Sequence, residues 1–274
     1  MVHPQIAAFA RLATDNTPPV RTLEGQKTKI SRTIHGFAYD AVHDEIVVTS
    51  PLTQAILIFR GGASGEEPPV RVIQGPHTRI LGSPYGGNSI VSVDAVHGEI
   101  YLPITPNSIL VFDRTANGDA PPKRVITGVK GGTLAIDPVH DLLVVNAGNA
   151  LSIYDRNVSG EAKPIRVIQG PKTSVAGIMT FQVYPPKGWI ISGCEAAYAS
   201  TLAVCAWSIN DDGDAAPRWK LPVRDLSGYQ ASGIALDPVH KEVIFSASGQ
   251  KIQDFPPPSG SMNTAITFSW PEIF

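Results

Sequence analysis

The 274-residue sequence predicts an all-β fold of repeated four-stranded units, and three observations carry that expectation. Apolar residues alternate in short runs with period 2. Gly and Pro are abundant, at 25 and 24 residues, and cluster between those runs. The chain also resembles itself at intervals of about 40 to 50 residues, the spacing expected of propellers or solenoids.

The outer half of each unit reads as follows. IAAFARLATDNTPPVRTLEG from Ile6, ILIFRGGASGEEPPVRVIQG from Ile56, ILVFDRTANGDAPPKRVITG from Ile109 and LSIYDRNVSGEAKPIRVIQG from Leu151 align without a gap, and VCAWSINDDGDAAPRWKL from Val204 fits more loosely. Each is an alternating apolar strand (c), a turn rich in Gly, Asp and Pro, and a short strand (d) of the VRVI type. The inner half is a second pair, strands a and b: GFAYDAVHDEIVV, SIVSVDAVHGEIYL, TLAIDPVHDLLVV, TFQVYPPKGWIIS and GIALDPVHKEVIF. Short paired strands at even spacing indicate blades set radially around a channel, so the expectation for residues 1–274 is one β-propeller domain. Five inner pairs favour five blades, with six as the alternative. The N-terminal PVRTLEG would supply an outer strand that closes the last blade against the C-terminal TAITFSW, with Trp270 and Phe274 as buried anchors.

The pattern G-I-A-x-D, then E-I-x-V, then I-x-V-F, then G-x-x-x-P-x-R-x-I resembles the NHL-like β-propeller repeats over nearly the whole chain. That resemblance implies architecture more than activity, because related propellers include lyases, lactonases, hydrolases and binding scaffolds. Calcium-dependent relatives carry metal ligands at the inner ends of the a strands. Here those positions hold Gly36, Ser89, Gly132, Met179 and Gly233, which are poor ligands, so neither a metal nor another cofactor is expected.

Residues repeated from unit to unit are expected to serve the fold. In D-x-V-H the Asp (40, 94, 137, 237) can accept hydrogen bonds from backbone N–H groups one or two residues on, and the His (43, 97, 140, 240) falls at the turn's exit. The d-strand Arg (21, 71, 124, 166) blunts edge pairing and can meet a nearby acid such as Asp113 or Asp155. GPHT and GPKT read as turns. Asn157-Val158-Ser159 matches the glycosylation sequon, a match that a chain of this length holds about once by chance.

Function is sought where the repeats break. The fourth inner turn becomes YPPK, and the following b-to-c connection expands to GCEAAYASTLAVC. Cys194 and Cys205 flank it, readable as a cross-strand disulfide, as two buried thiols, or as one reactive thiol. A disulfide would favour an oxidising compartment. Loops from d to a and from b to c supply the candidate ligand contacts: Arg32, His35, Tyr85, Asn88, Asn107, Asn146, Asn149, Glu195, Tyr198, Tyr229 and Gln230. They form a polar and aromatic rim with one unpaired acid and one His, suited to a small molecule, a glycan or a peptide. The leading expectation is a binding propeller that uses its central funnel. The alternative is a lyase or hydrolase with His35, Glu195 and Tyr198 or Tyr229 as acid and base.

A net charge of -2 gives no cationic field for a phosphate backbone, so nucleic acid is not an expected partner. No run of about 18 apolar residues suggests a membrane span. The first residues carry no basic and then apolar leader, which fits a soluble chain and is equally compatible with a mature secreted or periplasmic form. No nucleophile elbow, H-E-x-x-H, Walker loop or CxxC is present.

Overall fold

The structure, a computed structural model, describes residues 5–31, 36–81, 90–104, 107–129, 132–178, 181–197, 200–229, 231–247 and 264–274. It is all-β, with several separate sheets and none closed into a barrel. The chain forms two compact units, Met1–Thr127 and Gly128–Phe274.

Unit 1 begins with an antiparallel pair, β1 (Gln5–Ala8) and β2 (Arg21–Glu24). Two four-stranded antiparallel sheets follow. The first runs β3 (Phe37–Asp40), β4 (Glu45–Ser50), β5 (Ala55–Arg60) and β6 (Arg71–Gln74). The second runs β7 (Ser92–Asp94), β8 (Glu99–Ile104), β9 (Ser108–Asp113) and β10 (Arg124–Thr127).

Unit 2 repeats the plan with β11 (Thr133–Asp137), β12 (Leu142–Asn146), β13 (Leu151–Asp155) and β15 (Arg166–Ile168), while β14 (Gly160–Glu161) is a two-residue strand in the connection between β13 and β15. Next come β16 (Gln182–Tyr184), β17 (Trp189–Ala197), β18 (Ser200–Ser208) and β19 (Trp219–Leu221). A short helix, α1 (Val223–Ser227), leads to β20 (Ala231–Asp237), β21 (Glu242–Ala247) and β22 (Thr264–Ser269), tied to β18 through Thr201 and Ala231.

All five inner pairs expected from the sequence form, as β3–β4, β7–β8, β11–β12, β16–β17 and β20–β21. The C-terminal TAITFS is a c strand. Trp270 N–H donates to the Lys241 carbonyl at 3.0 Å, as Gly61 does to Asp44 and Arg156 to Asp141. Trp270 is buried, and Phe274 meets the Tyr184 ring edge to face at 5.2 Å, so both C-terminal aromatics are anchors.

Strands b and c of the first four repeats are largely buried on both faces, which is why they read as unbroken apolar runs. In the first sheet Ile46, Val48, Leu57 and Phe59 join Leu23 of β2 on one side, while Val47, Ile56 and Ile58 join Ile100, Leu102, Leu110 and Phe112 of the second sheet on the other. In unit 2 one core spans both sheets, that of β11, β12, β13 and β15 and that of β16 to β22, and takes in Trp207, Trp270 and Ile273.

Successive repeats are also stitched backbone to backbone. The d strand of one pairs in parallel with a glycine in the next repeat's c-to-d turn: Leu23 with Gly65, Ile73 with Gly118, Ile168 with Gly213. Gly118, for example, donates to the Val72 carbonyl at 2.7 Å and accepts from Gln74 N–H at 2.9 Å. These glycines hold φ of 60°, 67° and 65°, a left-handed backbone that other residues adopt only under strain. Polar side chains reinforce the seam, with Asn117 accepting from Val72 N–H at 3.0 Å and Asp212 from Val167 N–H at 2.8 Å. The residues that end strand d, Gly75 and Gly170, also have positive φ, and a Cβ there would fall on the side chains of Asp119 and Asp214.

Strands near the two ends of the chain are less covered than their counterparts. On β3, Phe37 and Tyr39 are 60% and 55% exposed, whereas Val91, Leu134, Phe181 and Ile234, which hold the Phe37 position in the other repeats, are buried. On the last sheet of unit 2 the opposite face is open. Ile244 and its partner Thr267 are partly or fully exposed, where the matching Val47, Tyr101, Val144 and Ile191 are fully buried.

Candidate functional site

The recurring Asp and His act together as a turn lock. Asp40, Asp94, Asp137 and Asp237 each accept from the backbone N–H two and three residues on, at 2.9 to 3.1 Å. The second carboxylate oxygen lies 2.7 to 2.9 Å from the Nδ1 of His43, His97, His140 and His240. The donors lie two and three residues on rather than the expected one or two, and the imidazole bond has no cue in the turn's own pattern. The hydrogen bond from His240 holds the Asp237 carboxyl below its ordinary range. Among the described residues, Asp237, His240 and Glu242 bring three metal-type ligand atoms within 4.8 Å of one another, yet the Asp237–His240 contact is the same bond that the other three turns make. Replacing His97 with Asn is therefore expected to lower stability by under about 1 kcal/mol and to leave metal content unchanged by elemental analysis.

The d-strand arginines find different partners from those expected. Arg71 pairs with Glu45 at 2.7 Å, and Arg124 grips both oxygens of Glu99 at 2.5 and 2.9 Å. Lys123 and the Tyr101 hydroxyl complete the Glu99 cluster at 2.9 and 2.7 Å. Arg21, Arg71 and Arg166 also donate to the carbonyls of Gly61, Arg114 and Ile209 in the next repeat. Asp113 and Asp155 are not their acids. Each instead accepts from the backbone N–H two residues on, Thr115 and Asn157, and so caps its own turn. Burial pushes the Glu99 carboxyl up, but the bonds from Arg124, Lys123 and Tyr101 outweigh it and hold the pKa at about 2.

With the repeated charges committed to structure, the departures in unit 2 stand out. β17 and β18 run nine residues each against five or six in other b and c strands, so the expected long loop is instead an extended hairpin. Cys194 and Cys205 form a disulfide across it, with Cα atoms 5.8 Å apart. Beyond the end of β16, Ser174–Ala176 takes over its place beside β17: Val175 bridges Cys194, and Glu195 N–H donates to the Ser174 carbonyl at 2.8 Å. Glu195 has φ of 56°, and its carboxylate meets Lys220 of β19 at 2.5 Å. The acid expected to be unpaired thus has a cation beside it.

Below this pair lies a buried polar layer. Asn146 donates to the Ala176 carbonyl at 3.1 Å and to Ser192 Oγ at 2.9 Å and accepts from Gly148 N–H at 2.7 Å. Thr201 donates to the Gly177 carbonyl at 2.8 Å. Asn146 is saturated by these partners and so supports the loops. Asn149 is exposed in the β12–β13 turn, Asn107 takes the left-handed position (φ 56°) of the β8–β9 turn, and Tyr229 follows α1 with its N–H bound to Ser227 Oγ at 3.1 Å. Arg32, His35, Tyr85, Asn88, Tyr198 and Gln230 lie outside the described residues. Ser192 and Lys220 were missed because nothing in their own segments marks them; their roles come from pairings 46 and 25 positions away. No protein-family model matches the chain, and no curated protein matches it, so its chemistry is read from its own residues.

Proposed function

We propose that the chain is a single β-propeller of five repeats that binds a small molecule, a glycan or a peptide on the side where the b-to-c hairpins project. Support for the ring comes from the repeat itself: five a–b pairs recur, d strands are stitched to the c-to-d turn of the following repeat, β22 stands in a c position and β1–β2 supplies an extra c and d pair.

The observation that carries the binding reading is the stapled hairpin. Its two strands are longer than those of every other repeat, and its Glu195 meets Lys220 of the neighbouring β19, both about half exposed. A surface ion pair contributes at most about 1 kcal/mol to stability, so charges kept there suit recognition. The acid-base alternative loses ground, because Lys220 pairs with the Glu195 carboxylate that was to share the acid-base chemistry with His35 and a Tyr. Screening soluble glycans, short peptides and metabolites by thermal shift tests the reading. A ligand found in this way is expected to lose at least about tenfold in affinity on the double replacement Glu195→Ala with Lys220→Ala, at unchanged melting temperature. Undiminished binding by that variant contradicts the assignment of the hairpin.

A further inference from the structure

We propose that Asn157 is an N-glycosylation site, used when the chain matures in an oxidising compartment. Asn157-Val158-Ser159 is the single Asn-x-Ser/Thr match in the sequence, and Asp155 stands two residues before it. The acid matters, because bacterial oligosaccharyltransferases require one at that place in addition to the three-residue sequon. Asp155 also caps its own turn, as Asp113 does in the preceding repeat, so the fold fixes an acid at that place.

The fold presents the site well. Asp155 to Val158 form a reverse turn closed by Val158 N–H on the Asp155 carbonyl at 3.3 Å, and Asp155 Oδ1 also accepts from Asn157 N–H at 2.8 Å. Arg156 is buried and held by Asp141 at 2.7 Å, which turns the neighbouring Asn157 and Ser159 to solvent. The repeat comparison shows that Asn157 is spare. The polar residue that stitches this turn to the preceding repeat elsewhere is two positions later, at Asn117 and Asp212. The disulfide between Cys194 and Cys205 fits maturation in an oxidising compartment, where such transfer occurs.

The donor would be an oligosaccharide linked through a diphosphate to a lipid. The Asn157 Nδ2 atom forms a bond to the sugar's anomeric carbon, the carbon–oxygen bond to the diphosphate breaks, the lipid diphosphate leaves, and Nδ2 gives up one proton.

The test is intact-mass spectrometry of the chain exported with an oligosaccharyltransferase, in one arm through a eukaryotic secretory pathway and in the other into a bacterial periplasm. A mass increase of one glycan is expected, absent in Asn157→Gln and kept in Ser159→Thr. Asp155→Asn should lose the modification in the bacterial arm alone. Modification in either arm supports the site and identifies the type of transferase it fits. A chain that carries its cystine yet remains unglycosylated in both arms overturns the proposal.

Discussion

Replacing Glu99 with Ala is expected to destabilise unit 1 by about 3 to 5 kcal/mol, read by urea unfolding under circular dichroism. The Glu99 side chain is 2% exposed, and removing it leaves the Arg124 guanidinium, itself mostly buried over the Tyr101 ring, without its carboxylate. Breaking one side of such a pair costs more than removing both, so Glu99→Leu combined with Arg124→Leu should recover much of the loss. The pH dependence has a definite sign. The folded pKa near 2 lies below the ordinary 4.5, so the stability is fully present above about pH 4.5 and is lost as the pH falls toward 2. Acid sensitivity in that window should shrink in Glu99→Gln. An Ala variant as stable as the parent would contradict the cluster.

The second large effect is expected at the turn lock. Asp137 is fully buried and serves three donors, the N–H groups of Val139 and His140 and the His140 ring. Asp137→Ala should cost about 3 kcal/mol, since bonds to an ionised group are worth about 1.5 to 3 kcal/mol each and do not add fully. Asp137→Asn keeps an acceptor for the backbone and should lose about half as much. His140→Asn should lose least. An inverted order, with the His variant the worst, would mean that the imidazole does more than brace the turn.

Much of the fold was legible because its cues are local. Strand pairs follow from period-2 runs, and the turns from Gly, Pro and Asp at fixed offsets. The inter-repeat stitch was not legible, since Gly118 or Asn117 acts on a strand about 45 positions earlier and looks in its own segment like an ordinary turn residue. The acid partners of the arginines were misassigned for a related reason. Asp113 is close in sequence, but the register sets Arg124 beside Val111 and Tyr101, and Glu99 is two residues from Tyr101 on the same face of β8. At the candidate site, the departure of the fourth repeat and its cysteines was readable. The partner of Glu195 was not, because Lys220 reaches it only through the β18–β19 pairing.

Small-angle X-ray scattering of the chain in solution tests most directly whether the five repeats close into one ring. The proposed ring requires a monomer with a radius of gyration of about 19 Å, the value for a compact chain of this length. A monomer several Å larger, or a head-to-tail assembly of copies, would contradict it.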